Sequence, residues 1–327
     1  MSTFDIFSLP QLAQDEIFAH MDVHELITLS LSDPDFFNSI SCCKKAEIPQ
    51  LEVVVSWEDG RFKSTISLVN EHGNIDAEWV IIWKNGKRPR RMSTIGQDPV
   101  LSRFEYLFGT ARTTMQTTNP IRVTSALLDH FQVIYRSKID LRLKFVNVDM
   151  GDQYLYKWKF LSKASQIAFV DSRIDDYLMQ DFQKMIRPHQ ELHIEGGSIE
   201  FKDQIFIEKL VINGSPYFNF ESFPLYSCSH LEIPEYGLST IDAVGFLLQW
   251  VHGQHSNLKS FTMESVDVHW IIECFEAKQW NREKRFWKND AQLIETSEGY
   301  DFINHNGIRG TIVFGNHQKF MKFLVWP

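Results

Sequence analysis

The feature that most restricts the fold is a short apolar–x–apolar segment that recurs through the second half of the chain. The segments read LKF, IAF, LHI, LVI, LEI and LKS, and they begin at Leu143, Ile167, Leu192, Leu210, Leu231 and Leu258. Successive starts lie 24, 25, 18, 21 and 27 residues apart, and the last segment keeps only its first apolar residue. A recurring unit of this length with one short strand predicts parallel strands stacked on their neighbours.

Apolar residues at helical spacing lie between some of these segments. One set is Ile174, Leu178, Phe182 and Met185, and another is Ile241, Val244, Leu248 and Val251. Leucine-rich repeats have units of about 20–29 residues, each with an LxL strand. The asparagine typical of that repeat follows the strand only at Asn147 and Asn213. The pattern therefore predicts a degenerate leucine-rich-repeat-like α/β domain, and an ordinary α/β domain with accidental spacing remains the alternative.

The N-terminal segment has a different, helical pattern. Pro10 suits a first helical turn, and Asp22 followed by Glu25 forms a capping-box variant before a second helix. The pair Asp33–Pro34 ends that helix and begins a third. Residues 5–42 are therefore predicted to form three short helices that are loosely attached to the rest. On the helical pattern alone, a subdomain folded back on the core and a docking module for another protein are equally favoured.

Between these two regions the chain is rich in β-branched and aromatic residues. Runs such as LEVVVSW and AEWVIIW are separated by the turn signals EDGR and NEHGN, which predicts an antiparallel meander over about 51–110. The basic run Lys84–Arg91 interrupts it. A solvated hairpin turn is the favoured interpretation of this run, ahead of a nuclear-localisation or phosphate-binding patch.

Composition argues against several classes of function. The net charge of −9 disfavours non-specific nucleic-acid binding, and no apolar run is long enough to cross a bilayer or to act as a secretory signal. Four scattered cysteines favour reduced thiols in the cytoplasm or nucleus. His252 and His255 lack an evident third ligand, and Cys42–Cys43 lacks an evident base. We find no catalytic or phosphate-binding motif, so we expect no enzyme activity, no cofactor and no metal.

The N-terminal segment contains, in order, Leu9–Pro10, Ile17, Met21–Asp22, Glu25–Leu26 and Leu29–Ser30. This order resembles the F-box. The similarity is greatest to the F-box of a large nematode family, in which an F-box-associated domain of the second type follows. In that family the module binds a Skp-type adaptor and so joins a cullin–RING ubiquitin ligase. Carried over by position, the resemblance implies adaptor-binding roles for Leu9, Pro10, Ile17, Met21, Leu26 and Leu29.

The C-terminal half resembles the associated domain of the same family. There a helix ending in Trp precedes N-L-K and a strand, and a terminal hairpin closes on a strand ending in V-W. The matching positions here are Trp250, Asn257, Leu258, Lys259, Gly307 and Trp326. From the residues alone, NHNGIRG is a hairpin turn and FMKFLVW is a final strand that should pair inside the core.

Together these observations predict an α+β protein with a small N-terminal three-helix F-box-like module, a β-rich segment, and a degenerate leucine-rich-repeat-like α/β domain that ends in a β-hairpin. The expected boundaries are 1–45 for the module and 46–327 for the associated domain, itself divided into a 51–118 meander and a 119–327 repeat-like part.

The resemblance implies a substrate receptor of an SCF-type ubiquitin ligase, with a Skp-type adaptor, a cullin and a target protein as partners and with no nucleic acid or membrane. The alternative is a free-standing repeat scaffold that is not linked to ubiquitination. If the LxL leucines point inward, the residues between them form an outward row that would bind the target. The predicted members of that row are Lys144, His193, Val211, Glu232 and Lys259.

Overall fold

The computed structural model describes twelve stretches of the chain, within which the helices and strands below are defined. They are residues 6–42, 50–84, 93–107, 109–135, 139–197, 204–214, 226–234, 239–264, 266–280, 284–288, 293–314 and 320–326. The chain divides into two compact units, Met1–Val146 and Asn147–Pro327. Both contain helices and strands, which confirms the α+β class. The basic run beyond Lys84 and the second residue of the Cys42–Cys43 pair lie outside the described residues.

The first unit begins with the three predicted helices, α1 (Gln11–His20), α2 (Val23–Ser32) and α3 (Pro34–Cys42). The predicted capping box forms at α2, because the Glu25 amide donates to Asp22 Oδ1 over 2.7 Å and the Asp22 amide donates to Glu25 Oε2 over 3.2 Å. At the start of α3 the Asp35 amide donates to Asp33 Oδ1 over 2.8 Å. These side-chain caps fix where α2 and α3 begin.

The rest of the first unit is a mixed sheet with one long helix. Its elements are β1 (Gln50–Glu58), β2 (Arg61–Val69), β3 (Ile75–Trp83), β4 (Ser93–Ile95), β5 (Asp98–Leu107), β6 (Thr110–Thr117), α4 (Pro120–Ile134) and β7 (Asp140–Val146). The strand order is β7-β1-β2-β3-β6-β5-β4. Strands β1 to β3 form the predicted antiparallel meander, whereas β6 runs parallel to β3 and β7 runs parallel to β1.

The prediction of an antiparallel meander throughout 51–110 is therefore wrong beyond β3. The hairpin β4–β5 lies between β3 and β6 in the sequence, and β5 pairs antiparallel with β6. As a result, β6 pairs with β3 in the parallel direction. Helix α4 then lies between β6 and β7 in the sequence, as a parallel crossover requires. It buries Val123, Leu127 and Phe131 completely.

The second unit contains five parallel strands followed by antiparallel ones. Its elements are β8 (Gln166–Val170), α5 (Asp176–Gln183), β9 (Glu191–Glu195), β10 (Ile205–Asn213), β11 (Tyr226–Ile233), α6 (Thr240–Val251), β12 (Ser260–Glu264), α7 (Val268–Cys274), β13 (Lys278–Gln279), β14 (Phe286–Lys288), β15 (Leu293–Glu295), β16 (Tyr300–Ile303), β17 (Arg309–Phe314) and β18 (Phe320–Val325). Strands β8 to β12 are parallel in chain order. The order continues β12-β18-β17-β16-β13, and β14 pairs with β15 in a separate ribbon.

The predicted terminal hairpin and internal final strand are both confirmed. Strand β18 lies between β12 and β17, so its backbone is paired on both sides. In the turn before β17, Asn304 Oδ1 accepts hydrogen bonds from the amides of Asn306 and Ile308, and Gly307 adopts a φ of 80°. Such a positive φ favours glycine, which accounts for the turn signal in the sequence.

Helix α6 buries a different side from the one that the sequence pattern indicated. Its buried residues include Ala243, Phe246, Leu247 and Trp250, whereas Ile241 and Leu248 of the predicted stripe are exposed. Helix α6 is apolar around most of its circumference, so spacing alone does not select the packed side. Of the described helices, none combines the length and apolar character that crossing a membrane would require.

Candidate interaction surfaces

The first candidate surface is the outward side of α1. Pro10 is exposed, and Leu12 is 84% exposed. Leu9, Ile17 and Met21 are each half-buried, so part of every one of these predicted adaptor-binding side chains reaches solvent. Apolar side chains that reach solvent therefore occur within α1 and at both of its ends, although they do not share one face of the helix.

The two predicted positions on α2 are less accessible. Leu26 is only 1% exposed and belongs to the core, together with its neighbour Ile27, while Leu29 is half-buried. The expectation that Leu26 is exposed is therefore wrong. It fails because Leu26 and Ile27 are packed inside the unit, and a packed side chain is not available to an external partner.

His24 connects α2 to the sheet of the same unit. Its Nε2 lies 2.8 Å from Thr113 Oγ1 on β6, and its ring stacks on Trp79 with centroids 5.3 Å apart. A tilted contact with Phe104 brings those ring centroids to 4.9 Å. Burial lowers the pKa of His24, an effect that Asp22 and Glu25 partly oppose. The neutral ring therefore acts as a packed, hydrogen-bonded core residue.

A second histidine connects the helices to α4. Ser30 Oγ donates to the Ile27 carbonyl over 2.8 Å and lies 2.7 Å from His130 Nε2, and the His130 ring stacks on Phe37 with centroids 4.7 Å apart. Burial lowers the pKa of His130 to about 4. With His24, these contacts join α2 and α3 to the rest of the first unit. The prediction of a loosely attached helical module is wrong.

The second candidate surface is the open side of the parallel strands in the second unit. The LxL residues Ile167, Leu192, Leu210 and Leu231 occupy the same register position on β8 to β11 and are almost completely buried. The residues that follow them therefore project from the opposite side of the sheet. They form one transverse row, Ala168, His193, Val211 and Glu232, which we call the sheet-face row.

Two of the five predicted members of this row lie elsewhere. The register partner of Glu232 on β12 is Thr262 and not Lys259, because Leu231 pairs with Phe261 rather than with Leu258. Lys259 precedes β12, and its Nζ lies 3.3 Å from Glu208 Oε1. The strand of the sixth repeat therefore pairs three residues later than the LKS segment predicts. This agrees with the absence of a second apolar residue in LKS.

Lys144 also does not belong to the sheet-face row. It lies on β7 of the first unit, where its register partner is Val54 on β1. His193, Val211 and Glu232 are each half-buried on the open side of the second unit. These three are the residues of the predicted set that the structure brings together.

Hydrogen-bonded and ion-paired side chains occupy the sheet-face row and the positions beside it. Gln166 Nε2 donates to His193 Nε2 over 2.8 Å, and Lys209 Nζ lies 3.0 Å from Glu232 Oε2. Burial lowers the pKa of Lys322 on β18, and Lys209 contributes in the same direction while Glu232 opposes it. The surface therefore presents hydrogen-bonding groups of both signs rather than a field of one sign.

A histidine on β11 continues this polar surface toward the start of the strands. His230 Nδ1 lies 2.7 Å from Ser260 Oγ, and its Nε2 lies 3.8 Å from Glu208 Oε1. Burial lowers the pKa of His230 despite the nearby Glu208 carboxylate. Polar groups of both signs are compatible with the polar rim of a protein interface.

The other residues singled out from the sequence do not assemble a reactive site. His252 lies beside His305, with ring centroids 4.8 Å apart, whereas His255 Nε2 lies 2.9 Å from Gln249 Oε1. In the described stretches, no three His, Cys, Asp or Glu side chains are grouped so that they could hold a metal ion. Cys228 is buried and its pKa is raised to about 12 by burial, so its thiol is unreactive near neutral pH.

Sequence reasoning missed the contacts that fix the helices to the sheet. The sequence did not indicate that His24 and Ser30 would be buried contacts. Both are polar, and only the apolar residues of this segment were used to predict its helix. The position of β12 was the one detail that the sequence could have supplied. The run SFTM after Lys259 contains the strand that LKS lacks.

Comparison with known proteins does not place the chain in a family. No protein-family model matches it, and neither does any curated protein or any solved structure.

Proposed function

We propose that this chain is a substrate-receptor subunit of a cullin–RING (SCF-type) ubiquitin ligase, and that it has no catalytic activity of its own. Its N-terminal helices bind a Skp-type adaptor, and the open side of the second unit binds the target protein. The F-box-like order of Leu9, Pro10, Ile17 and Met21 suggests the adaptor. The resemblance of the C-terminal half to an F-box-associated domain suggests the target-binding role.

The observation that carries the proposal is the exposure of several apolar side chains on α1 and at its two ends. Pro10 and Leu12 are exposed, and Leu9, Ile17 and Met21 are partly exposed, although the opposite sides of the helices are packed within the unit. Several solvent-accessible apolar side chains within one short segment support a binding site for another protein. An adaptor that bound this segment would bury some of them.

The adaptor proposal is tested by pull-down with a purified Skp-type adaptor. The double variant Leu9→Ala/Pro10→Ala should abolish binding, because it removes apolar contact area at the start of α1. The Leu9 carbonyl, which accepts from Gln14 Nε2 over 2.8 Å, is retained in that variant. Gln11→Ala is the matched control, since Gln11 is an exposed polar residue on the same helix. Undiminished binding by the double variant would refute the docking role.

The target proposal is tested by proximity labelling in cells. His193→Ala/Glu232→Lys changes two half-buried members of the sheet-face row, whereas Glu273→Lys makes the same charge change at an exposed position on α7. We expect the first variant to lose a set of labelled proteins that the second retains. Identical labelling by both variants would place target recognition on another surface.

A second candidate function is a free-standing interaction scaffold whose helices only cover the sheet. The contacts of His24 and Ser30 favour it, because they give the helices a structural role without any adaptor. The variant Leu12→Arg discriminates between the two. It changes an 84% exposed residue, so it should leave a scaffold unaffected but should block an adaptor that covers α1.

A further inference from the structure

A small cavity lies in the first unit between α2 and strands β3 to β6. Its volume is about 190 Å³. Four buried side chains form its floor, namely Trp79, Ile95, Thr113 and Met115. The floor is therefore mostly apolar, with a single hydroxyl that is already engaged by His24.

The rim of the cavity has a different character from the floor. Thr28 and Ser32 of α2 lie on one side, and Thr94 of β4 and Ser102 of β5 lie on the other; all four are exposed hydroxyl residues. Leu31 and Phe104 complete the mouth. Hydroxyls can both donate and accept hydrogen bonds, so the rim suits a polar group that remains at the surface.

The cavity is suited to a neutral group. None of its lining residues is ionisable, and burial keeps the adjacent His24 ring neutral by lowering its pKa. A charged group entering it would lose its hydration without meeting an opposite charge, which is strongly unfavourable. The floor is therefore suited to an uncharged, apolar group.

The size of the cavity further restricts the occupant. An apolar cavity of about 150 Å³ accepts benzene, whereas sites for drug-sized ligands measure about 300–1,000 Å³. The cavity accordingly accommodates one branched or aromatic side chain. The apolar surface also continues past it along β5, because Phe104 and Tyr106 point to the same side of the strand and are 59% and 67% exposed.

We propose that this cavity binds one apolar side chain from an extended segment of a partner protein. The side chain fills the floor, the rim hydroxyls hydrogen-bond to the amides on either side of it, and Phe104 and Tyr106 contact the neighbouring residues. Exposed aromatic residues beside a well-formed pocket are typical of positions that dominate protein–protein binding energy. This site does not depend on adaptor binding, since it shares no residue with Leu9, Pro10, Ile17 or Met21.

The proposal is tested by titrating three probes while recording the indole NMR signals of the full chain. The probes are 3-methyl-1-butanol, N-acetyl-leucine amide, and the capped pentapeptide acetyl-Ser-Ser-Leu-Ser-Ser-amide. The Trp79 signal, assigned from its loss in Trp79→Phe, should move with each probe. Each successive probe has more amide groups that can hydrogen-bond to the rim hydroxyls. The affinity should therefore rise by about tenfold from the alcohol to the pentapeptide.

Variants of the rim identify the site of binding. Thr28→Trp places a large side chain at the mouth and should weaken pentapeptide binding by about tenfold or more, whereas Ala19→Trp adds the same side chain at an exposed position on α1 and should not. Ser102→Trp repeats the test from β5 in case Thr28→Trp does not fold. An unmoved Trp79 signal, equal loss in the control, or an alcohol that binds as tightly as the pentapeptide would each overturn the proposal.

Discussion

His130 is the residue whose titration bears most directly on the attachment of the N-terminal helices. Its pKa is about 4 in the folded chain, against about 6.5 when unfolded. The unfolded chain therefore binds more protons than the folded one between these values, so the free energy of unfolding falls as the pH is lowered from about 6.5 to 4. His24, whose pKa is also lowered, acts in the same direction.

The first prediction follows from this difference in proton binding. In denaturant titrations at several pH values, His130→Gln should lose stability less steeply than the wild type as the pH falls from 6.5 to 4. His189→Gln removes an exposed histidine and should keep the wild-type slope. If the slopes of the two variants are the same, His130 does not control the acid sensitivity.

Arg285 is the corresponding residue in the second unit. Its guanidinium lies between the rings of Trp280 and Trp326, at 4.3 and 4.9 Å from their centroids. It also donates to both carboxylate oxygens of Asp301 over 2.7 and 2.8 Å. Only 11% of the Arg285 side chain is exposed, so the pair is largely desolvated.

The second prediction is that Arg285→Ala lowers the free energy of unfolding by about 3 kcal/mol, because it leaves the Asp301 carboxylate buried without its main partner. Arg285→Lys should lose part of this, since lysine can supply neither the two parallel bonds nor the planar stacking. Arg309 is a matched control, because it also approaches Asp301, at 3.9 Å, but is 47% exposed. Denaturant unfolding of Arg309→Ala should show little change; equal losses at 285 and 309 would contradict the argument.

At the scale of the elements, β10 shows how one strand serves both the core and the open surface. Leu210 is completely buried on one side, and its neighbour Val211 is half-buried in the sheet-face row on the other. We predict that Leu210→Ala costs about 2–5 kcal/mol of unfolding free energy, as buried leucines generally do, and that Val211→Ala costs less than about 1 kcal/mol. Denaturant unfolding of the two variants measures both. Similar losses would mean that the open side is packed as tightly as the core.

The strands were easier to predict than their lateral pairing. The LxL residues on β8 to β11 fall into one register because each supplies two buried positions with a period of two, and that pattern is legible in the sequence. The segment LKS lacks the second apolar residue, because that position is Ser260. On β12 the partner of Leu231 is therefore Phe261 rather than Leu258, and Lys259 lies outside the sheet-face row. The parallel pairing of β3 with β6 was not predictable, since it depends on where the β4–β5 hairpin returns the chain.

The sides of helices that contact the sheets were the least predictable feature of the candidate sites. For α1 and α2 the spacing predicted the helices, but it could not tell which leucines the rest of the unit would bury. Leu12 is exposed and Leu26 is buried, although both are apolar residues at helical spacing. The cavity beside Trp79 was hidden for the same reason, because its lining combines residues from α2 and four strands.

At the scale of the whole molecule, the division after Val146 places the three helices and the 50–146 strands in one unit. The helices cover part of that unit's core, since His24 contacts Trp79, Ser30 contacts His130, and Leu26 and Ile27 are buried. The three helices therefore contribute to the stability of the unit. If the helices also bind an adaptor, as we propose, binding and folding depend on the same short segment.

The last prediction is that the helices cannot be removed without destabilising the chain. A chain that begins at residue 43 would expose Trp79, which is 1% exposed in the folded protein, together with the apolar side chains that pack on α2 and α3. Such newly exposed apolar surface costs about 25 cal/mol per Å² and promotes association. We expect the truncated chain to aggregate or to unfold at a lower denaturant concentration, as followed by tryptophan fluorescence. Leu12→Gln, which changes only the outward side of α1, should unfold like the wild type, and an equally stable truncated chain would show that the helices are dispensable for folding.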